Sequence, residues 1–178
     1  AATFSLLDIW FSPLVSVLLV MVLHLWLTGA FHEDGLADSI DALGGGYTVE
    51  KRLAIMKDSR IGTYGTVALV MALGLKATLL LESRHIPMAL LLAPAVSRLT
   101  PLLLMGYLPY VTQSEQSKSK PVADGFSRRR LALAAAFTTV LGVVASVWHS
   151  HLLLWCLLAT LGVALLWGRY LRSQLGGY

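Results

Sequence analysis

Long apolar blocks, separated by shorter polar stretches, run through this chain of 178 residues. Five of them, at about 13–31, 63–81, 87–108, 131–148 and 151–168, approach the roughly 20 predominantly apolar residues that a helix needs to cross a bilayer. The apolar residues are gathered in these blocks and not spread over an amphipathic core. The pattern predicts an all-α fold, a polytopic integral membrane helical bundle. Between the first two blocks, "IDALGGGYTVEKRLAIMKDSRIG" combines a Gly44–Gly45–Gly46 break with a short helix. Thr48 is the expected cap of that helix, and Leu53, Ile55 and Met56 give it an apolar side. "YVTQSEQSKSKPVADGFSRRR" reads as a loop. No internal repeat is visible, so residues 1–178 are expected to form a single transmembrane domain.

Composition sharpens this picture. Only 13% of the residues are charged and 56% are hydrophobic, where a soluble domain has about a quarter charged residues. Cys156 is the single cysteine; it cannot form an internal disulfide and reads as a small buried or lipid-facing residue. The charges are distributed unevenly. Eleven of the fourteen cations fall in the two longer loops and after the last block: Lys51, Arg52, Lys57, Arg60, Lys118, Lys120, Arg128, Arg129, Arg130, Arg169 and Arg172. With alternating spans all eleven lie on one side, which the positive-inside rule makes cytoplasmic. Arg84 is left on the other side. The Arg128–Arg130 run is expected to anchor a span at anionic headgroups, with contact to a phosphate-bearing substrate as the alternative. His149 and His151 sit in a short turn on the far side, where a metal site is not expected.

The chemistry concentrates where the first block meets the cytoplasmic face. "TGAFHEDGLADSIDAL" holds Glu33, Asp34, Asp38 and Asp41. If the first span continues as a helix past Phe31, the i, i+4, i+7 spacing puts Asp34, Asp38 and Asp41 on one face. Like charges in a row repel, so the bland reading is a solvated helix end and the functional reading is a site for Mg²⁺ or Mn²⁺. A second polar cluster, "MKDSRIGTYG", precedes the next span. Asp58 extends the carboxylate set; Lys57 and Arg60 suit phosphate, Arg by its fork and Lys as a point charge. Gly62 and Gly65 permit a close approach at the start of that span. Arg98, between Pro94 and Pro101 in the third block, is a charge at membrane depth, divided between structural pairing and a substrate or catalytic role. Lys76 is expected to snorkel. Acids for metal beside bases for phosphate point to phosphoryl transfer.

These residues resemble a known family. "FHEDGLADSIDAL", followed by "MKDSRIGTYG", "LKATLLLE", "AVSRLTPLLL" and "SQLGGY", is similar to the signature of the cobalamin synthases, the adenosylcobinamide-GDP ribazoletransferases. The resemblance implies a Mg²⁺-dependent enzyme of the bacterial or archaeal cytoplasmic (inner) membrane with its active site facing the cytoplasm. It would join adenosylcobinamide-GDP to α-ribazole or its phosphate and release GMP. On that reading Asp34, Asp38, Asp41 and Asp58 are metal-ligand candidates, and His32, Asp34, Asp38 and Asp58 are catalytic candidates. Lys57, Ser59, Arg60 and Arg98 are substrate-binding candidates. The partners would be the two substrates and the lipid bilayer, not nucleic acid, with a homo-oligomer or an association with other cobalamin-assembly enzymes left open. Family members carry a further N-terminal segment with another membrane helix and continue past the Gly-Gly, so a longer protein is expected. The CDP-alcohol phosphotransferases share the chemistry, but have an acid where this chain has Phe31. Membrane prenyltransferases carry longer Asp-rich motifs, and a cation transporter would place its acids nearer the bilayer midplane.

Overall fold

The structure, a computed structural model, describes residues 1–111, 120–146 and 152–178, and all regular structure among them is helical. Lys118, His149 and His151 lie outside the described residues. The chain forms two compact units, Ala1–Leu90 and Leu91–Tyr178.

In the first unit, α1 (Ala2–Leu7) leads into α2 (Pro13–Thr28). Ser12 caps α2, its hydroxyl accepting from the Val15 N–H at 3.5 Å, and Pro13 fills the first helical position, where no N–H is needed. The expected first span does not run on as one helix. Gly29 takes a left-handed conformation (φ 60°), its N–H bonding to Trp26 O while Ala30 N–H bonds to Leu25 O. This paired closure is a Schellman motif. Ala30 is also left-handed (φ 51°), and the two residues turn the chain through 85° into α3 (Phe31–Gly45). The short α4 (Val49–Ile55) follows, capped as the sequence suggests by Thr48, whose Oγ1 accepts from Lys51 N–H at 3.2 Å. Next come α5 (Thr63–Glu82) and α6 (Ile86–Ser97), within which the division between the units falls.

The core of this unit joins Phe4, Val17 and Met21 to Ala77 and Leu80, with Val20, Leu73, Ile86 and Leu90 packed around them. The N-terminal half of α2 therefore meets the C-terminal end of α5. The other end of α5 is left to pack on α3.

In the second unit α7 (Leu99–Tyr107) continues α6, and Ile86–Tyr107 forms an apolar stretch of 22 residues. A short helix, α8 (Lys120–Asp124), interrupts what the sequence reads as loop. It is followed by α9 (Arg128–Ser146) and α10 (Leu152–Leu175). α7 packs on α9 and α10; Gly168 of α10 lies against Leu104, where an added Cβ would come to 3.0 Å. After α10 the backbone pairs with the end of α7, Tyr178 N–H to Pro109 O and Val111 N–H to Tyr178 O, both 3.0 Å.

Among the described residues three helices are long and apolar enough to cross a membrane, Thr63–Glu82, Ile86–Tyr107 and Leu154–Leu175, and the bent α2–α3 pair raises the number to four. The remaining expected span, 131–148, corresponds to α9, of which Arg128–Ser146 is described. Most of the apolar surface of these helices faces outward, as in Val67, Val70, Met71, Leu75 and Leu79 of α5. Apolar surface of that extent is stable against lipid and not against water. Trp10 and Trp26, 79% and 76% exposed, suit the interfacial belt. The protein is an all-α, polytopic membrane protein.

Candidate active site

The acids stand on α3, which the Gly29–Ala30 turn directs away from α2 and which packs on α5. Glu33 and Asp34 occupy its first turn, where unsatisfied N–H groups and the positive end of the helix dipole favour anions. This offsets part of the repulsion within the row. The i, i+4, i+7 expectation holds within α3 itself, and the surroundings then separate the three aspartates. Asp34 is exposed, Asp38 half-buried and Asp41 buried, at 8% exposure. Asp41 is already engaged: its Oδ2 accepts from Gly62 N–H at 2.7 Å and its Oδ1 from Gly65 N–H at 2.8 Å.

The second cluster forms the turn between α4 and α5. Asp58 and Arg60 are joined within it. Arg60 donates from its backbone N–H and Nε to Asp58 Oδ1, both 3.0 Å, and from Nη2 to Oδ2 at 2.7 Å. The Arg60 side chain, and then its backbone N–H, hold the Asp58 carboxyl down at about 2 against an ordinary 3.8. Arg60 is still 86% exposed along its side chain, so the other edge of its guanidinium fork faces water. Lys57 and Ser59 are exposed on the same turn. Arg52, counted in the sequence as a loop cation, is half-buried and donates from Nε to Gly46 O at 2.8 Å, where the carbonyl end of α3 attracts a cation.

His32 is exposed at the start of α3, edge-on to the Phe31 ring at 5.8 Å. The first unit thus carries His32, Asp34, Asp38, Asp41, Lys57, Asp58, Ser59 and Arg60. Arg98 belongs to the second, at the α6–α7 junction, with Nη1 3.4 Å from both Pro94 O and Ser97 Oγ. The sequence reading gave Glu33 no role; its Oε2 is buried and makes no hydrogen bond among the described residues. Burial of a carboxylate oxygen is a tertiary property that composition does not signal.

No three His, Cys, Asp or Glu side chains among the described residues are gathered into a metal cage. Mg²⁺ does not need one: it keeps several waters and takes one or two carboxylates together with substrate phosphates. Asp34 and Asp38, one helical turn apart and supplying hard oxygen donors, fit that requirement.

The family pattern described as Cobalamin-5-phosphate synthase matches residues 1–178, which takes in α3 and the Lys57–Arg60 turn together. The chain belongs to this family. Among its relatives is an adenosylcobinamide-GDP ribazoletransferase of Shewanella halifaxensis, 40% identical over 189 residues that cover all of this chain and 70% of that protein. One from Vibrio parahaemolyticus is 40% identical over 181 residues, covering all of this chain and 67% of its own length. One from Vibrio cholerae is 52% identical over 130 residues, 71% of this chain and 50% of its own. No solved structure matches. As a member of the cobalamin-5-phosphate synthase family, the chain carries its acids on a helix that breaks sharply from a membrane-embedded one.

Proposed function

We propose that this protein is an adenosylcobinamide-GDP ribazoletransferase, transferring the cobinamide-phosphate moiety of adenosylcobinamide-GDP to α-ribazole or its 5′-phosphate and releasing GMP. The observation that carries the reading is the family match over the whole of residues 1–178. It favours neither a prenyltransferase nor a transporter. The α3 face and the Lys57–Arg60 turn lie in one unit and supply the two kinds of group that such a reaction needs.

The ribazole 3′-hydroxyl attacks the phosphorus that bears cobinamide. A new P–O bond forms as the bond from that phosphorus to the bridging oxygen breaks, and the electron pair leaves on the phosphate of GMP. The hydroxyl proton passes to a carboxylate or imidazole on the first turns of α3, where His32, Asp34 and Asp38 are the candidates. Lys57 and the outer edge of Arg60 hold diphosphate oxygens. Mg²⁺ bound by Asp34 and Asp38 would neutralise charge on the diphosphate. Neither Ser39 nor Cys156 is set up as a covalent nucleophile: Ser39 Oγ donates to Gly35 O at 2.6 Å, within its own helix, and Cys156 lies in α10. Single displacement therefore inverts configuration at phosphorus. The eleven loop and C-terminal cations support a cytoplasmic position for this end of α3 and α5 in a bacterial or archaeal inner membrane.

The test is release of GMP when the purified full-length protein meets both substrates. Formation of GMP together with a cobalamin product is expected; no GMP from folded, detergent-solubilised enzyme at millimolar Mg²⁺ refutes the reading.

A further inference from the structure

The third acid of the α3 row has a different task from the first two. Gly62 occupies the N-cap position just before α5 and has no side chain to satisfy the free N–H groups of the first turn. In most helices an Asp, Asn, Ser or Thr at that position accepts from the N–H two or three residues on. Here Asp41 supplies the cap from another helix. Its two oxygens take one N–H each, Gly62 at the cap itself and Gly65 three residues later, across 21 and 24 residues of sequence.

The space around the carboxylate is fitted to this. A Cβ on Gly62 would come to 2.5 Å from Asp41 Oδ1, and one on Gly65 would run into Asp41 Oδ2 and Ala37 O. Gly62 has φ −94°, a conformation open to any residue, so it is the approach of Asp41 and not backbone strain that excludes a side chain there. Gly65 is buried. One turn further along α3, the Tyr64 ring lies against Gly44, where a Cβ would come to 2.9 Å.

We infer that Asp41 is a positioning residue for the proposed transfer reaction and not a metal ligand: it clamps the start of α5 to α3 and so holds the Lys57–Arg60 turn in register with Asp34 and Asp38. The inference rests on the transferase reading. The turn has α4 on one side and Gly62 on the other, and its cations act on the diphosphate only while Gly62 is fixed. A carboxylate spanning two backbone N–H groups, Gly62 part-buried and Gly65 buried, fixes it, because loss of the Gly65 bond leaves a buried donor unsatisfied.

Asp41→Asn tests this. The amide keeps the size of the side chain but has one acceptor oxygen, so one N–H of the pair meets an NH₂ group. Four readouts are taken on wild type, Asp41→Asn, Asp38→Asn and Gly62→Ala: kcat, KM for adenosylcobinamide-GDP, the Mg²⁺ concentration for half-maximal rate, and amide hydrogen exchange of residues 58–66. For Asp41→Asn the expectation is faster exchange in that segment, KM raised about tenfold and half-saturating Mg²⁺ within about twofold of wild type. Asp38→Asn raises the Mg²⁺ requirement and leaves exchange unchanged. Gly62→Ala retains every carboxylate and is expected to reproduce Asp41→Asn; it carries the test alone if the Asn variant does not fold.

An Mg²⁺ requirement in Asp41→Asn that rises as in Asp38→Asn overturns the inference. So does unchanged exchange over 58–66, or a loss of thermal stability with kcat and KM intact. Wild-type enzyme that releases no GMP overturns the transferase reading and the positioning role with it. That result is distinct from wild-type turnover with an Asp41→Asn variant that behaves as a metal-ligand mutant.

Discussion

Neighbouring aspartates of one sequence motif have different partners, and their expected mutant behaviour differs accordingly. Asp34 and Asp38 lie on the more open part of α3. Asp34→Asn and Asp38→Asn keep shape and remove charge, so each is expected to lower kcat by at least about a hundredfold, at about 1.4 kcal/mol of barrier per tenfold. Both variants should remain folded and membrane-inserted, as judged by circular dichroism and size exclusion in detergent; near-normal turnover in either at ordinary Mg²⁺ removes it from the ligand set. Asp58 differs again, because Arg60 holds its carboxyl at about 2. Its folded value lies below the ordinary 3.8, so whatever the pair adds to stability is complete above about pH 4 and is lost as pH falls towards 2. Asp58 is therefore ionised throughout any working pH range, and an acid limb of activity between pH 5 and 7 belongs to another group. Carboxylate ¹³C titration, assigned with Asp58→Asn, should find Asp58 raised to the usual Asp range in Arg60→Gln; an unmoved value means that Arg60 is not the cause.

The 85° turn between α2 and α3 rests on two left-handed residues, of which Gly29 adopts that conformation freely and Ala30 does not. Ala30→Gly removes the Cβ conflict at the cost of a more flexible unfolded chain, so stability should be unchanged or higher by up to about 1 kcal/mol. Ala30→Val places a β-branched side chain in the same conformation and should cost about 1–3 kcal/mol, with activity falling as α3 reorients. Thermal melts in detergent measure the first effect and GMP release the second. Equal stability of the Gly and Val variants would mean that the turn is not set at residue 30. Two other helix starts carry their causes locally: Ser12–Pro13 opens α2 and Thr48 opens α4. The start of α5 does not, since Gly62 contributes no cap of its own.

At the scale of the whole molecule, the outward-facing apolar helices mark a membrane protein, and the uneven cations predict which of its sides is cytoplasmic. In a Cys156→Ser background, Ser59→Cys on the exposed α4–α5 turn should resist an impermeant thiol reagent applied to intact cells and react after permeabilisation. A cysteine in place of Arg84, at the opposite end of α5, should react in intact cells. Reversal of this pattern would place the acids of α3 on the outer face and refute the proposed orientation.

The sequence by itself determined the class of protein, because a bilayer dictates helix length and apolarity and those are one-dimensional properties. It also determined the acidic row, since a 3.6-residue period is enough to put Asp34, Asp38 and Asp41 on one face, and the family, since its motifs recur in order. It did not determine that α3 breaks away from α2: "TGAF" is compatible with a continuing helix until the Schellman closure at Gly29 and the left-handed Ala30 are seen. Nor did it separate the aspartates. Asp41 differs from Asp38 only in what lies opposite, two backbone N–H groups delivered by a helix more than twenty residues further along. Asp58, equally plain in the sequence, is drawn into the fork of its own neighbour by the local turn. Periodicity places a side chain on a face; only the tertiary structure decides which partner that face meets, because burial and hydrogen bonding depend on groups brought in from elsewhere in the chain.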